Sequence, residues 1–171
     1  MTITKLDIKY DITKLWDACL VVISRYGWGP TGQINLTHPT YIIDNNKKHF
    51  EGVGSLAGTG LKEKSFTVFN EEWRGSYLET VFKSLPYKIG RFRIMRVKSR
   101  TCYSVHKDST MRIHLPLVTN PQALMIFPDE PLVVHLPANG HVWLTDTRKR
   151  HTAMNGGLDD RYHLVGALQE K

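Results

Sequence analysis

Apolar residues at helical spacing define the first predicted element. Leu15 and Cys19 lie four residues apart, which places them on one face of a helix. Asp11 precedes this segment in a position that suits an N-cap, and Gly27 follows it. Since aspartate and glycine are common at the two ends of helices, the pattern predicts a helix over residues 11–25.

A second helix is predicted over residues 70–85. Asn70 suits an N-cap, two glutamates follow it, and Pro86 ends the segment because proline cannot continue a helix. The apolar stripe of this segment, with members four residues apart, consists of Trp73, Tyr77 and Val81. A stripe of this kind is typical of a helix that packs against a core.

The segment between these two helices is less regular. Short apolar stretches at 33–37 and 41–43 predict two strands, separated by a His-Pro pair. The run from Gly52 to Gly60 contains four glycines, but no Gly-Lys-Ser/Thr follows it. It therefore does not match a phosphate-binding loop, and we interpret it as a flexible loop with a lid as one candidate role.

From residue 88 onward, the spacing of apolar residues shortens to two. Phe92 and Ile94 alternate with Arg91 and Arg93, as expected for a strand with two different faces. Proline, glycine and asparagine separate eight such segments, which are 91–97, 100–106, 111–117, 122–127, 131–136, 141–145, 148–152 and 161–168. Eight strands at this spacing favour a mainly β fold, a jelly roll of the cupin kind with supporting N-terminal helices.

Length and composition favour one globular domain. The chain has 171 residues, and we expect a single domain in which 1–88 form helical and loop support and 89–171 form the eight-strand core. No apolar run approaches the roughly 20 residues of a membrane span, and the N-terminus lacks the apolar segment of a signal peptide. The lack of a long apolar run leads us to expect no membrane partner. Because two cysteines are too few for a disulfide framework, we also expect a cytoplasmic protein.

The formal net charge of +7 has three interpretations. It can belong to an ordinary solvated surface, serve small anionic ligands, or mark a nucleic-acid surface. The basic strip in the last interpretation consists of Arg91, Arg93, Arg96, Lys98 and Arg100. Since alternation along a strand splits these residues over two faces, we expect no nucleic-acid partner.

The candidate metal-binding set consists of His106, Asp108 and His151. A His-x-Asp pair alone carries little information, but this pair lies where one predicted strand ends and the next begins. Two histidines and one carboxylate hold ferrous iron on one side and leave the other side open for chemistry. In the alternative interpretation, the histidines are ordinary polar residues at a barrel mouth and Asp108 caps a turn.

On two predicted strands, cationic or potentially cationic residues share one face, and we expect them to converge near this set. Arg112 and His114 alternate with apolar residues, and so do Arg161 and His163. A charged residue that points into a barrel is unfavourable unless it is paired or contacts a ligand. A dicarboxylate cosubstrate explains these residues, whereas the alternative for Arg161 is an ion pair with a neighbouring surface aspartate. The remaining histidines, interpreted as surface or structural, are His38, His49, His135 and His141.

Two motifs in the second half of the chain carry a family resemblance. The first, V-H-K-D-S-T-M-R-I-H-L-P-L, runs from Val105 to Leu117, and the second, H-T-A-M-N followed by an arginine, runs from His151 to Arg161. They resemble the aspartyl/asparaginyl β-hydroxylase family of 2-oxoglutarate-dependent oxygenases, in particular its bacterial amino-acid hydroxylase branch. The resemblance covers roughly residues 90–168, and the carboxylate at position 108 matches the bacterial branch.

This resemblance implies a double-stranded β-helix with Fe(II) and 2-oxoglutarate as cofactors. It implies that His106, Asp108 and His151 are the iron ligands. It further implies that Arg161 binds the distal carboxylate of 2-oxoglutarate, with help from Arg112 and His114. The expected function is hydroxylation of a C–H of an amino acid or amino-acid side chain, with release of succinate and carbon dioxide.

The expected partners are dioxygen and a small-molecule or peptide substrate. Two alternatives remain at this stage: a metal-binding cupin without oxygenase activity, and a basic protein that binds or modifies nucleic acid. The first does not require Arg161 or the Arg112 and His114 pair. The sequence identifies neither the substrate nor the oligomeric state.

Overall fold

The computed structural model describes residues 1–169. Its α-helices are α1 Ile12–Tyr26, α2 Asn45–Phe50 and α3 Tyr77–Ser84. Its strands are β1 Ile3–Lys9, β2 Gln33–Asn35, β3 Thr37–His38, β4 Val68–Phe69, β5 Ile89–Val97, β6 Thr101–Cys102, β7 Arg112–Val118, β8 Ala123–Phe127, β9 Leu132–His135, β10 His141–Thr145, β11 Thr152–Asn155 and β12 Arg161–Leu168. Single turns of 3-10 helix lie at Glu63–Ser65 and Glu71–Trp73.

Most of these strands belong to two antiparallel sheets. The larger sheet has six strands in the order β1-β10-β7-β12-β5-β2, and the smaller has four in the order β6-β11-β8-β9. From β5 onward the chain passes repeatedly from one sheet to the other, which is the connectivity of a jelly roll. The predicted double-stranded β-helix is confirmed. The N-terminal segment adds β1 and β2 to the larger sheet, while the prediction of a single domain stays a prediction.

Helices α1 and α3 cover one face of the larger sheet. Leu15 of α1 and Val81 of α3 belong to one apolar cluster with Phe92 and Ile94 of β5, and all four side chains are fully buried. Because side chains alternate along a strand, Arg91 and Arg93 of β5 lie on the opposite face. That second face looks toward the smaller sheet and encloses a cavity.

The first helix follows its local signals closely. The side chain of Asp11 accepts a hydrogen bond from the Lys14 N–H at 3.1 Å, which satisfies one of the free donors of the first turn. Gly27 ends the helix with a φ of 67°, a value that glycine adopts without strain. The prediction over 11–25 is therefore confirmed to within one residue at each end.

The prediction of one continuous helix over 70–85 is wrong in its first half. Asn70 caps a single 3-10 turn by accepting a hydrogen bond from the Glu72 N–H at 3.3 Å. Gly75 then adopts a φ of 76°, which interrupts a right-handed helix. The α-helix begins only at Tyr77 and ends at Ser84, shortly before the proline that was expected to stop it.

Two predicted strands also need correction. Residues 41–43 form no strand, and Tyr41 and Ile43 extend into solvent, with 65% and 86% of their surfaces exposed. The segment 148–152 is mostly a turn, in which Arg148 pairs with Asp146 at 2.7 Å, and β11 begins at Thr152. Among residues 1–169, no helix is long and apolar enough to cross a membrane.

Candidate metal centre and its cationic cavity

Backbone pairing brings His106 and His151 together. The N–H of His106 donates to the carbonyl oxygen of His151 at 3.0 Å, and the N–H of His151 donates back at 2.9 Å. The centroids of the two imidazole rings are 4.5 Å apart. Residues from two distant segments of the chain thus become cross-strand neighbours, next to the pairing of β6 with β11 in the smaller sheet.

Backbone carbonyls orient both imidazole rings. Nδ1 of His106 lies 2.8 Å from the carbonyl oxygen of Ser104, and Nδ1 of His151 lies 3.0 Å from that of Lys149. A ring nitrogen that meets a carbonyl carries the proton, so the Nε2 atom keeps its lone pair. The Nε2 atoms of His106 and His151 face the carboxylate of Asp108 at 3.9 and 3.6 Å.

His106, Asp108 and His151 can each offer one ligand atom to a metal ion. These three atoms all lie within 4.8 Å of one another. Two imidazole nitrogens and one carboxylate form the donor set typical of non-haem Fe(II) oxygenases, which leaves coordination positions open. The geometry and the chemistry of the donors therefore fit an Fe(II) ion.

The surroundings keep two of these donors in their metal-binding protonation states. Burial acts to raise the pKa of Asp108, but the charge and hydrogen bonds of Arg112 outweigh it and lower the pKa below its usual value. Burial lowers the pKa of His151. An ionised carboxylate and a neutral imidazole are the forms that bind a metal ion.

Arg112 connects the metal centre to a buried acid. Its Nε and Nη2 atoms contact the two carboxylate oxygens of Asp108, both at 2.9 Å, and Nη2 also lies 2.8 Å from Oε1 of Glu63. The hydroxyl of Thr110 donates to the other oxygen of Glu63 at 3.2 Å. A bidentate guanidinium of this kind fixes the orientation of the carboxylate that it holds.

Glu63 is a site residue that no pattern in the sequence indicates. It is buried in a short 3-10 turn that follows the glycine-rich loop, 8% exposed, and its Oε1 also lies 3.5 Å from Arg91 Nη1. In the sequence it is one acid between two lysines, with no motif around it. Only its contacts with β5 and β7 in three dimensions reveal its role.

Arg161 is a buried cation without a carboxylate partner among residues 1–169. It is 5% exposed, and its Nε donates to Nε2 of His163 at 2.9 Å. Burial lowers the pKa of Arg161 to about 10. The alternative interpretation of Arg161, a surface ion pair with a neighbouring aspartate, is therefore wrong, because the side chain is buried and lines the cavity.

His114 is also buried and unsatisfied. Both of its ring nitrogens lack a hydrogen-bond partner within the described part of the chain. Burial, together with the positive charge of Arg161, lowers the pKa of His114 well below its usual value, so the ring is neutral. A neutral imidazole offers one donor and one acceptor, and buried polar groups of this kind require partners.

These residues line one cavity of about 950 Å³. Its walls come from both sheets and from the glycine-rich loop. The residues predicted from the sequence that it brings together are His106, Asp108, Arg112, His114, His151 and Arg161. The volume lies at the upper end of the range of about 300–1,000 Å³ for small-molecule sites, so the cavity can hold more than one small ligand.

The other histidines lie outside this cavity. His49 is fully buried, and its Nε2 lies 3.1 Å from Glu72 and 3.0 Å from the side chain of Asn70. His38 is also buried and contacts the carbonyl oxygen of Pro39 at 2.8 Å. These contacts agree with the structural role expected from the sequence.

Comparison with solved structures supports the same fold. AviO1 from Streptomyces viridochromogenes Tue57 superposes with a TM-score of 0.55 over 99% of this chain and 90% of that chain, at 13% identity. At this level of identity the likeness concerns the fold alone. The comparison with curated proteins found no match.

Two other structural matches are weaker. A 2OG-Fe(II) oxygenase family oxidoreductase from Burkholderia pseudomallei matches with a TM-score of 0.41 and 22% identity. That match covers 47% of this chain and only 42% of the Burkholderia chain. The viral collagen prolyl hydroxylase vCPH from Paramecium Bursaria Chlorella virus-1, in complex with 2OG, matches over 98% of this chain and 97% of that chain. Its TM-score is 0.46 and its identity 14%.

The sequence itself matches a family at residues 75–170. The matching family is described as aspartyl/asparaginyl beta-hydroxylase. The matched range includes every donor of the candidate metal centre, as well as Arg161. Since it spans more than half of the chain, this protein belongs to the aspartyl/asparaginyl β-hydroxylase family.

Proposed function

We propose that this protein hydroxylates a C–H of an amino acid or amino-acid side chain, with 2-oxoglutarate converted to succinate and carbon dioxide. The observation that carries the proposal is the meeting of three metal donors and an unpaired buried guanidinium in one cavity. When bound, Fe(II) with 2-oxoglutarate activates dioxygen, one atom of which enters the substrate and the other succinate.

In this proposal, His106, Asp108 and His151 hold the iron. The carbonyls of Ser104 and Lys149 take the Nδ1 protons and leave both Nε2 atoms free for the metal. Arg112 holds both carboxylate oxygens of Asp108, which limits the rotation of that side chain. A carboxylate has about four lone-pair directions, so it can accept from Arg112 and still bind a metal.

Arg161 binds the distal carboxylate of 2-oxoglutarate in this proposal. A guanidinium is always charged and binds a carboxylate through two parallel hydrogen bonds. His114 lies in the same cavity with two unsatisfied nitrogens, and Nη1 of Arg112 is also buried without a partner in the described chain. These groups supply further donors for the cosubstrate, in agreement with the roles expected from the family resemblance.

Apolar side chains complete the reaction chamber. Met95 of β5, Met125 of β8 and Val165 of β12 line the cavity together with the charged groups. Such residues exclude water, and electrostatic interactions are stronger where water is excluded. The chain thus provides binding, orientation and a dry environment, while the bound cofactors carry the oxidation.

The decisive test is an anaerobic titration of the Fe(II) protein with 2-oxoglutarate. Removing one partner of a buried ion pair costs about 3–5 kcal/mol, so we expect Arg161→Leu to weaken the binding of 2-oxoglutarate by roughly two to four powers of ten. Iron content should not change, because Arg161 is not a ligand. Arg161→Lys should restore only part of the affinity, since an ammonium lacks the bidentate fork.

Arg150→Leu is the matched control, because Arg150 is 54% exposed at its side chain and pairs with an equally exposed Asp129. It should bind 2-oxoglutarate like the parent protein. The cosubstrate role is rejected if Arg161→Leu retains full affinity. A parent protein that holds iron but binds no 2-oxoglutarate would contradict the proposed reaction as a whole.

A further inference from the structure

Glu63 brings the N-terminal part of the chain to the metal region. It lies in a 3-10 turn that follows the glycine-rich loop, and it is 8% exposed. The range that matches the family begins at residue 75, so Glu63 lies outside it, whereas the three metal donors lie inside it. The reaction proposed above gives this buried acid no role, although a carboxylate is unfavourable to bury unless it is paired.

The carboxylate of Glu63 joins three parts of the cavity wall. Its Oε1 atom lies 2.8 Å from Nη2 of Arg112 on β7 and 3.5 Å from Nη1 of Arg91 on β5. Its Oε2 atom accepts a hydrogen bond from the hydroxyl of Thr110 at 3.2 Å, and the hydroxyl of Ser109 lies 3.5 Å away. These two hydroxyls belong to the loop that precedes β7 and carries one of the metal donors.

Arg112 divides its N–H groups between two carboxylates. Its Nε and Nη2 atoms contact the two oxygens of Asp108, and Nη2 also contacts Glu63. Since Nη2 carries two hydrogen atoms, it can donate one to each acid. A guanidinium is rigid and planar, so its anchor at Glu63 also fixes the position from which it holds Asp108.

The charge of Glu63 acts on the same donor. The positive charge of Arg112 weakens the attraction between the Asp108 carboxylate and a metal cation, and the negative charge of Glu63 offsets that effect. Groups that orient and tune the ligands of a metal in this way are worth about 10- to 100-fold in metal affinity. Both the geometry and the charge of Glu63 therefore favour a metal ion at Asp108.

The backbone around Glu63 is held firmly against β5. A Cβ atom added at Gly90 would lie 2.7 Å from the carbonyl oxygen of Glu63, so the turn rests directly on the strand at a position without a side chain. The next residue, Arg91, donates to the carbonyl oxygens of Gly52 and Gly54. The beginning of the glycine-rich loop and the turn that follows it are thus both attached to the strand.

We propose that Glu63 is a positioning residue of the metal centre, which holds Arg112 in the place and with the charge balance that make Asp108 a strong metal ligand. This inference rests on the proposed role of Asp108 as an iron ligand. It gives the segment before residue 75 a part in metal binding. Glu63 does not bind the metal, and its effect passes through Arg112.

The test measures the affinity for Mn(II) alone, which stands in for Fe(II) and is stable in air. The electron paramagnetic resonance signal of the free ion gives the dissociation constant. We expect Glu63→Gln to weaken Mn(II) binding by about 10- to 100-fold and still to load at excess metal. Glu63→Asp keeps the charge on a shorter side chain, and we expect an intermediate affinity. At full loading with Co(II), the visible spectrum of Glu63→Gln should differ from that of the parent, because the spectrum reports on the ligands.

A double-mutant cycle separates action through Arg112 from a general loss of structure. In the background of Arg112→Met, Glu63→Gln should change the Mn(II) affinity by less than about threefold, because the connection to Asp108 is already lost. Gly90→Ala keeps every charge but displaces the turn of Glu63, and it should also weaken Mn(II) binding.

Glu72→Gln is the matched control for a buried acid. The side chain of Glu72 is 16% exposed and pairs with Arg25 and His49, outside the cavity. We expect this variant to lose stability and to keep the Mn(II) affinity of the parent. Circular dichroism checks that each variant is folded, and Glu63→Asp and Gly90→Ala supply the test if Glu63→Gln does not fold.

The possible failures are distinguishable. If the parent binds Mn(II) and Glu63→Gln binds it equally well, the role of Glu63 is wrong and the proposed reaction stands. The same weakening with and without Arg112 would overturn the connection through that residue. Weakening in Glu72→Gln would show that the affinity follows stability, which also overturns the inference. A parent that binds no Mn(II) contradicts the proposed iron site and the role of Glu63 with it.

Discussion

The two faces of the larger sheet use the same strands for opposite purposes. On the outer face, Phe92 and Ile94 of β5 are fully buried beneath α1 and α3. On the inner face, the neighbouring positions Arg91 and Arg93 enclose a cavity with unpaired charge. The outer face stabilises the fold, and the inner face holds groups that reduce stability until ligands bind, as is common where function requires them.

The largest effect is expected from the removal of a proposed metal ligand in the cavity that the inner face encloses. His151→Ala removes one of the proposed iron ligands, and we expect the loss of most bound iron and of all turnover. Metal analysis after anaerobic loading measures the first effect, with one iron per chain expected in the parent.

His141→Ala is the control for this experiment, because His141 lies outside the cavity. It should retain the iron of the parent. Unchanged iron in His151→Ala would show that the metal is held elsewhere.

The second-largest effect is a loss of stability without a loss of metal binding, and we expect it for a variant on the outer face. Phe92 is fully buried, and its ring packs against Phe82 with the centroids 5.6 Å apart. Phe92→Ala should lower the free energy of unfolding by about 3–5 kcal/mol, because it leaves a cavity in a packed core. The iron content of the folded fraction should remain that of the parent, because the side chain points away from the metal.

Denaturant unfolding measures the change in stability for Phe92→Ala. Val133→Ala, at a position that is 57% exposed, should change the free energy of unfolding by less than about 0.5 kcal/mol. If Phe92→Ala lost iron without losing stability, the division of roles between the two faces would be wrong.

The smallest effect concerns Glu63, which links the N-terminal segment to the inner face. Glu63→Gln keeps the shape but removes the charge between Arg91 and Arg112. We expect a loss of about 1–3 kcal/mol in the free energy of unfolding, typical of a hydrogen-bonded charge that loses its partner. Iron should still bind, since Arg112 keeps its contact with Asp108.

Thermal and denaturant unfolding both report this change for Glu63→Gln. Glu51→Gln is the matched control, because Glu51 is exposed and outside the cavity. Equal stability of Glu63→Gln and the parent would mean that the buried ion-pair cluster contributes little to the fold.

The candidate site was predicted more completely than the fold that carries it. His106, Asp108 and His151 were identified from their order and from their positions on the strand pattern, and the structure brings their ligand atoms within 4.8 Å. Strand boundaries were less accurate: the segment predicted at 148–152 lies in a turn, and β11 begins at Thr152. The order of functional residues survives such shifts, whereas the bounds of a strand depend on which neighbour it pairs with.

Local chemistry allowed the sequence by itself to determine α1 and the two faces of β5. Asp11 and Gly27 act on the adjacent turn of backbone, and alternation along a strand follows from the geometry of the chain. Tertiary structure alone decided which charges have partners. Glu63 reaches Arg112 from a distant segment, whereas Arg93 forms no ion pair with an acid of the described chain. Ion pairs depend on distances of a few ångströms between remote residues, and the sequence pattern does not contain those distances.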